Sequence, residues 1–130
     1  MKKLLVLPVL LFSIIFSSTS FAGWTWITDD TAGNAYYIDF AKVKKIDGYY
    51  NYRWLLDLLK PDNEGDASYI SYTQVDCKFS LNMTLSEFYY TQPMGAGSVT
   101  TNNVKNPEWA YLAPGSSSEY MLELVCDYVK

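Results

Sequence analysis

Two cysteines constrain this chain more than any other feature. Cys77 and Cys126 are the sole cysteines in 130 residues, and the chain opens with the three-part pattern of an export signal. Lys2 and Lys3 give a positive start, Leu4 to Phe16 is almost wholly apolar, and Ser20-Phe21-Ala22 puts small residues at both positions a signal peptidase reads. Cleavage is expected after Ala22. The apolar run falls short of the roughly 20 residues that cross a bilayer comfortably, so a removed leader is expected rather than an anchor. With no cysteine beside the cleavage point, no lipid attachment is expected. Export carries both thiols into an oxidising compartment, where paired cysteines in a small domain read as a disulfide.

Residues 1–22 are therefore expected to be a signal peptide and residues 23–130 a single domain. About 108 residues suit one domain, which buries roughly 60–70% of its unfolded surface. Loss of Lys2 and Lys3 leaves eight basic against fourteen acidic residues, a net charge of −6. Such a chain, whose one basic cluster is Lys42, Lys44 and Lys45, is poorly suited to nucleic acid or anionic lipid. No later run is apolar enough to span a membrane. A soluble protein, periplasmic or extracellular, is expected.

Alternation supplies the elements. Trp24 to Thr28 and Ala35 to Asp39 read as strands around a turn cluster, Asp29 to Asn34. Phe40 to Ile46 reads as one helical turn or an irregular connection, closed by a tight turn at Asp47-Gly48. In Tyr49 to Leu59, residues Tyr50, Tyr52, Trp54, Leu56 and Leu58 share one face while Asn51, Arg53 and Asp57 take the other, the period-two signature of a half-buried strand. Pro61 to Asp66 is a polar loop. Ser68 to Cys77 is a strand with Thr73, Val75 and Cys77 on one face. Leu81, Met83 and Leu85 begin another, whose phase breaks at Phe88, so a bulge is expected at Ser86-Glu87. Pro93 to Asn106 reads as a long loop rich in Gly, Ser, Thr and Asn, and Trp109 to Leu112 as a short strand. The abundant tyrosines, 12 in all, follow the strands, where a ring packs while its hydroxyl stays wet.

The last segment reads as a helix. Ser116 and Glu119 stand at capping-box spacing. Glu119, Glu123 and Asp127 form a wet stripe opposite Met121, Leu122, Val125, Cys126 and Val129. Cys126 then points at the sheet and Cys77 occupies an inward strand position, two separate readings that agree on a bond between them. The expected fold is α+β: an antiparallel meander of five or six strands with one C-terminal helix packed across a face and tied by that disulfide.

Chemistry is scarce. Without histidine there is no Ser-His or Cys-His pair, and cysteines held in a disulfide offer no thiolate. Zinc-ligand spacing and a phosphate-cradling glycine loop are both missing. Asp62, Glu64 and Asp66 alternate in a loop, but the stretch lacks the twelve-residue geometry and distal glutamate of a calcium loop. Asp29, Asp30, Glu87 and Glu108 are carboxylates that nothing pairs for glycoside hydrolysis. No catalytic residue, metal or cofactor is assigned.

The order of short motifs resembles the bacterial surface-adhesin protein E family. The matching stretches are a Trp-bearing first strand, AYYID, a Trp- and Leu-rich strand ending at Pro61, VDC (Val75 to Cys77), YTQPMGAG (Tyr90 to Gly97), PEWAYLAPGS (Pro107 to Ser116) and a terminal helix holding Cys126. The resemblance implies a small antiparallel sheet with a helix tethered by the cysteine pair, and a non-enzymatic cell-surface role. The best-known adhesins of this type are lipid-anchored and bind host matrix and plasma proteins such as vitronectin, laminin and plasminogen. This chain departs from them in lacking a lipidated cysteine.

The leading expectation is thus an exported binding protein whose partner is a protein, such as a host extracellular matrix or plasma protein. The alternatives are a periplasmic accessory or inhibitor domain that binds an envelope partner, and a small-ligand carrier. Contact surface is expected in two loops, Pro61 to Ala67 and Met94 to Asn106.

Overall fold

The computed structural model describes residues Gly23 to Lys130. The expected leader, residues 1–22, lies outside the described residues. Among the described residues, eight antiparallel strands and one α-helix follow in order: β1 (Thr25–Asp29), β2 (Ala35–Ile38), β3 (Lys44–Ile46), β4 (Tyr49–Asp57), β5 (Ser68–Asp76), β6 (Leu81–Gln92), β7 (Ala96–Asn103), β8 (Ala110–Tyr111) and α1 (Ser117–Tyr128). The sheet runs β1-β2-β4-β5-β6-β7, with β3 also paired to β4 and β8 to β6.

The count exceeds the expected five or six because two edge pieces read otherwise in sequence. Phe40–Lys42 does form one 3-10 turn. The chain then adds β3, which folds back on β4 through Asp47 and Gly48, both left-handed at φ 53° and 84°, as a two-residue hairpin turn requires. The second piece is the expected loop Pro93 to Asn106. Pro93–Gly95 is a turn and Val104 to Asn106 lie outside any strand, but Ala96–Asn103 is strand β7, exposed throughout and paired with β6 from Ser86 to Gln92. Its Gly, Ser, Thr and Asn residues have little strand preference of their own. They are ordered by the unpaired amides of a 12-residue neighbour. The expected bulge on β6 is present one residue earlier: Tyr72 faces Ser86 and Thr73 faces Thr84, leaving Leu85 extra.

One sheet face carries the core. Ile38, Tyr52 and Val75 from three adjacent strands meet Met121, Leu122 and Val125 of α1, with Tyr50, Trp54, Cys77 and Cys126 packed around them. The faces expected for β4 and α1 are those observed. The Ser116 hydroxyl caps the helix by accepting from Glu119 N at 3.1 Å, and the Glu119 carboxylate accepts from Gly115 N at 3.0 Å. The Cys77–Cys126 disulfide forms across this layer, with Cα atoms 5.6 Å apart. Its effect is to fasten the end of the chain to the end of β5.

A second, smaller apolar cluster lies on the opposite face. Leu55, fully buried, sits beside Ile70 beneath the Pro93–Gly95 turn. A Cβ on Gly95 would stand 3.0 Å from Ile70 Cδ1 and 3.5 Å from Leu55 Cδ1. The turn is pinned by Met94 N donating to Asp57 Oδ1 at 2.8 Å and Gly95 N donating to Ser68 Oγ at 2.9 Å. Glycine at this position lets the backbone lie directly on the two side chains.

Candidate functional site

Alternation sends Asn51 and Arg53 of β4, and Tyr72 of β5, to the face away from the helix, because Tyr52 and Thr73 go inward. Register then places Arg53 opposite Tyr72, and Lys44 of β3 opposite Asn51. The 3-10 turn brings Lys42 to the same end. These residues, with Ile46, line an open depression of about 370 Å³. The Pro93–Gly95 turn covers the Leu55 and Ile70 part of the same face, so the open portion is this cationic one.

Arg53 is the organised centre of the depression. Its Nε and Nη2 donate to Asp39 Oδ2 at 3.1 and 2.7 Å, and its guanidinium carbon lies 4.6 Å from the centre of the Trp24 ring, within cation–π range. Partial burial works against the charge, yet hydrogen bonds and attraction from Asp39, joined by Tyr72, outweigh it and hold the guanidinium above its ordinary value. Beside it, the Asn51 Oδ1 atom is buried and accepts no hydrogen bond. Tyr72 is exposed and meets Phe88 edge-on at 5.3 Å, while Trp26 adds a second exposed aromatic on this side of the sheet. Cation, unsatisfied acceptor and aromatic surface are adjacent on rigid strands. Such a surface can hold acidic and aromatic groups of another molecule through charge-assisted hydrogen bonds and stacking.

The basic cluster expected from sequence is divided by the pleat. Lys42 and Lys44 line the depression, whereas Lys45 alternates away and lies 6.0 Å from the Tyr50 ring. Arg53 and Tyr72, 19 residues apart in sequence, become neighbours through strand pairing. The one signal for Arg53 was its place on the polar face of β4.

The acidic loops are occupied by their own backbones. Asp62 Oδ1 accepts from Glu64 N and Asp66 N at 3.0 and 2.9 Å, and Tyr69 donates its hydroxyl to Oδ2. These bonds, led by that from Tyr69, hold the Asp62 carboxyl below its usual value. Asp30 likewise closes a turn, accepting from Ala32 N and Asn34 N at 3.0 Å each. The bonds from Asn34 are the foremost cause of its lowered pKa. Asp29 accepts from the Trp26 indole at 2.9 Å. The expected contact loop Pro61 to Ala67 is thus a self-bonded turn. The expected Met94 to Asn106 surface is a sheet edge.

Fold and face together define a class: a disulfide-tied antiparallel scaffold, sealed on one side by a helix and open on the other as a cationic, aromatic sheet surface. Among the described residues no helix is long and apolar enough to cross a membrane. The family model described as surface-adhesin protein E matches residues 24–127, and the chain belongs to that family. It is similar in structure to protein E of Haemophilus influenzae. Against crystal form II the TM-score is 0.65 at 15% identity, covering 84% of this chain and 91% of that one. Against another structure of the same protein the TM-score is 0.62 at 14% identity, covering 82% and 85%. At such identity the likeness is one of fold. A search of curated protein sequences gave no match.

Proposed function

We propose that this protein is an exported, non-enzymatic binding module that works at the cell envelope or outside the cell. Its partner is a protein, of the host extracellular matrix or plasma, engaged through the sheet face opposite α1. The observation that carries this reading is the open depression of Lys42, Lys44, Asn51, Arg53 and Tyr72 on an otherwise acidic molecule. It is the place where the charge sign reverses beside exposed aromatics. Membership of a surface-adhesin family supports the same reading. Of the carboxylates that sequence offered for hydrolysis, Asp29 bonds to an indole and Asp30 closes a turn, which favours binding over hydrolysis.

The test is surface-immobilised binding of the processed domain to purified matrix and plasma proteins, alongside a Lys42→Glu/Lys44→Glu variant and Tyr72→Ala. Loss of two cations and gain of two anions should weaken an acidic partner at least tenfold and steepen in low salt. Saturable binding that ignores all these changes would place the contact elsewhere. Absence of saturable binding, with the protein retained wholly between the membranes, would remove the reading.

A further inference from the structure

Asp39 ends the second strand pair in an unusual state of half-satisfaction. Its side chain is 2% exposed. Oδ2 accepts both bonds from Arg53, while Oδ1, equally buried, accepts none. A buried carboxylate oxygen without a donor is costly, and natural interiors rarely keep one.

The backbone beside it is Gly23. A Cβ on that residue would stand 3.2 Å from Asp39 Oδ1 and 3.5 Å from both Cγ and Oδ2. The Gly23 nitrogen shares the same Cα and lies within about 2.5 Å of that point. While the leader is attached this nitrogen is a planar amide with one donor, its direction fixed by the peptide plane. It makes no bond to Oδ1. The close approach and the φ of +89° both favour glycine here. Gly23 is also the residue that follows the cleavage position read from the small residues of the leader, a reading made without reference to Asp39.

We propose that Gly23 is the amino terminus of the exported protein and that its α-ammonium is the missing donor to Asp39 Oδ1, so that leader removal completes a Gly23–Asp39–Arg53 ionic triad around the buried Asp39 carboxylate. A signal peptidase hydrolyses the Ala22–Gly23 peptide bond with one water. The leader departs with the new carboxylate and Gly23 retains the nitrogen as –NH₃⁺. The single aimed N–H becomes a rotor of three donors bearing a full charge. The carboxylate, formerly served on one oxygen, is then bonded on both. Processing thereby locks the start of β1 against β2 and β4, whichever partner the protein binds.

Intact mass of the protein recovered after export should correspond to a start at Gly23. Thermal unfolding then compares the chain beginning at Gly23 with one extended by a single alanine, each start verified by mass. The extension should lower Tm by about 5 °C or more in the wild type and leave it unchanged in Asp39→Asn. Should Asp39→Asn not fold, acylation of the α-amine gives a second readout, expected at least tenfold slower in the folded than in the denatured wild-type protein. A different start, equal Tm values for the two wild-type chains, the same loss in both backgrounds, or an α-amine that reacts as fast when folded would each overturn the proposal.

Discussion

Replacing Cys77 and Cys126 together by alanine removes the covalent tie between β5 and α1 while leaving every strand pair in place. The two residues are 49 apart in sequence, and the closed loop holds β6, β7 and β8. For a loop of about fifty residues the chain-entropy relation gives about 4 kcal/mol at 25 °C. Set against a total stability of about 5–15 kcal/mol for a domain of this kind, that loss should lower Tm by about 15–30 °C. The helix should nonetheless stay docked at low temperature. Met121, Leu122 and Val125 are buried to 0%, 3% and 0% exposure, and each side chain removed from water contributes about 1.5–3 kcal/mol. A 12-residue helix has little stability of its own, so its amides should lose hydrogen-exchange protection in step with those of β4 and β5. The experiment is circular dichroism melting and amide exchange on the oxidised wild type and the double variant. A Tm change under about 5 °C would refute the loop-entropy reasoning. Free exchange of α1 above a still-protected sheet would show that the bond acts as a local tether and not through the denatured chain.

Further outcomes follow from single contacts. Arg53→Met removes both donors to Asp39 Oδ2 and leaves that side of a buried carboxylate unpaired, which should cost about 3 kcal/mol in urea unfolding; adding Asp39→Asn should recover much of it, because the buried charge is then gone. Gly95→Ala sets a methyl 3.0 Å from Ile70 Cδ1 at a φ of +70°, and should destabilise by at least about 1 kcal/mol while loosening the Pro93–Gly95 turn in amide exchange. Asp30 and Asp62 both titrate below their ordinary 3.8 in the fold. The stability they add is complete above that value and is lost as pH falls through the lower native pKa. Asp30→Asn and Asp62→Asn should therefore each show a smaller fall in Tm between about pH 4 and pH 2 than the wild type.

What could be read directly from the residues was whatever depends on local periodicity. The inward row of β4 with Tyr52 and Trp54, the cap at Ser116, the apolar stripe of α1 and the Cys77–Cys126 bond all arise from alternation of two or from helical spacing. Those periods are properties of the chain itself. Strands β3 and β7 were hidden because neither has the composition of a strand. Lys44–Ile46 and Ala96–Asn103 are ordered by the exposed amides and carbonyls of β4 and β6, a demand made by a neighbour and invisible in their own residues. The same holds for the binding face. Lys42, Lys44, Asn51, Arg53 and Tyr72 are brought together by cross-strand register, as are Leu55, Ile70 and Gly95 beneath the turn on that side. Asp39 and Arg53, 14 residues apart, meet for the same reason. Sequence determined which face of β4, β5 and α1 meets the core and where sulfur closes the molecule. The tertiary structure decided which outward-facing groups became neighbours, because register is set by pairing between distant segments.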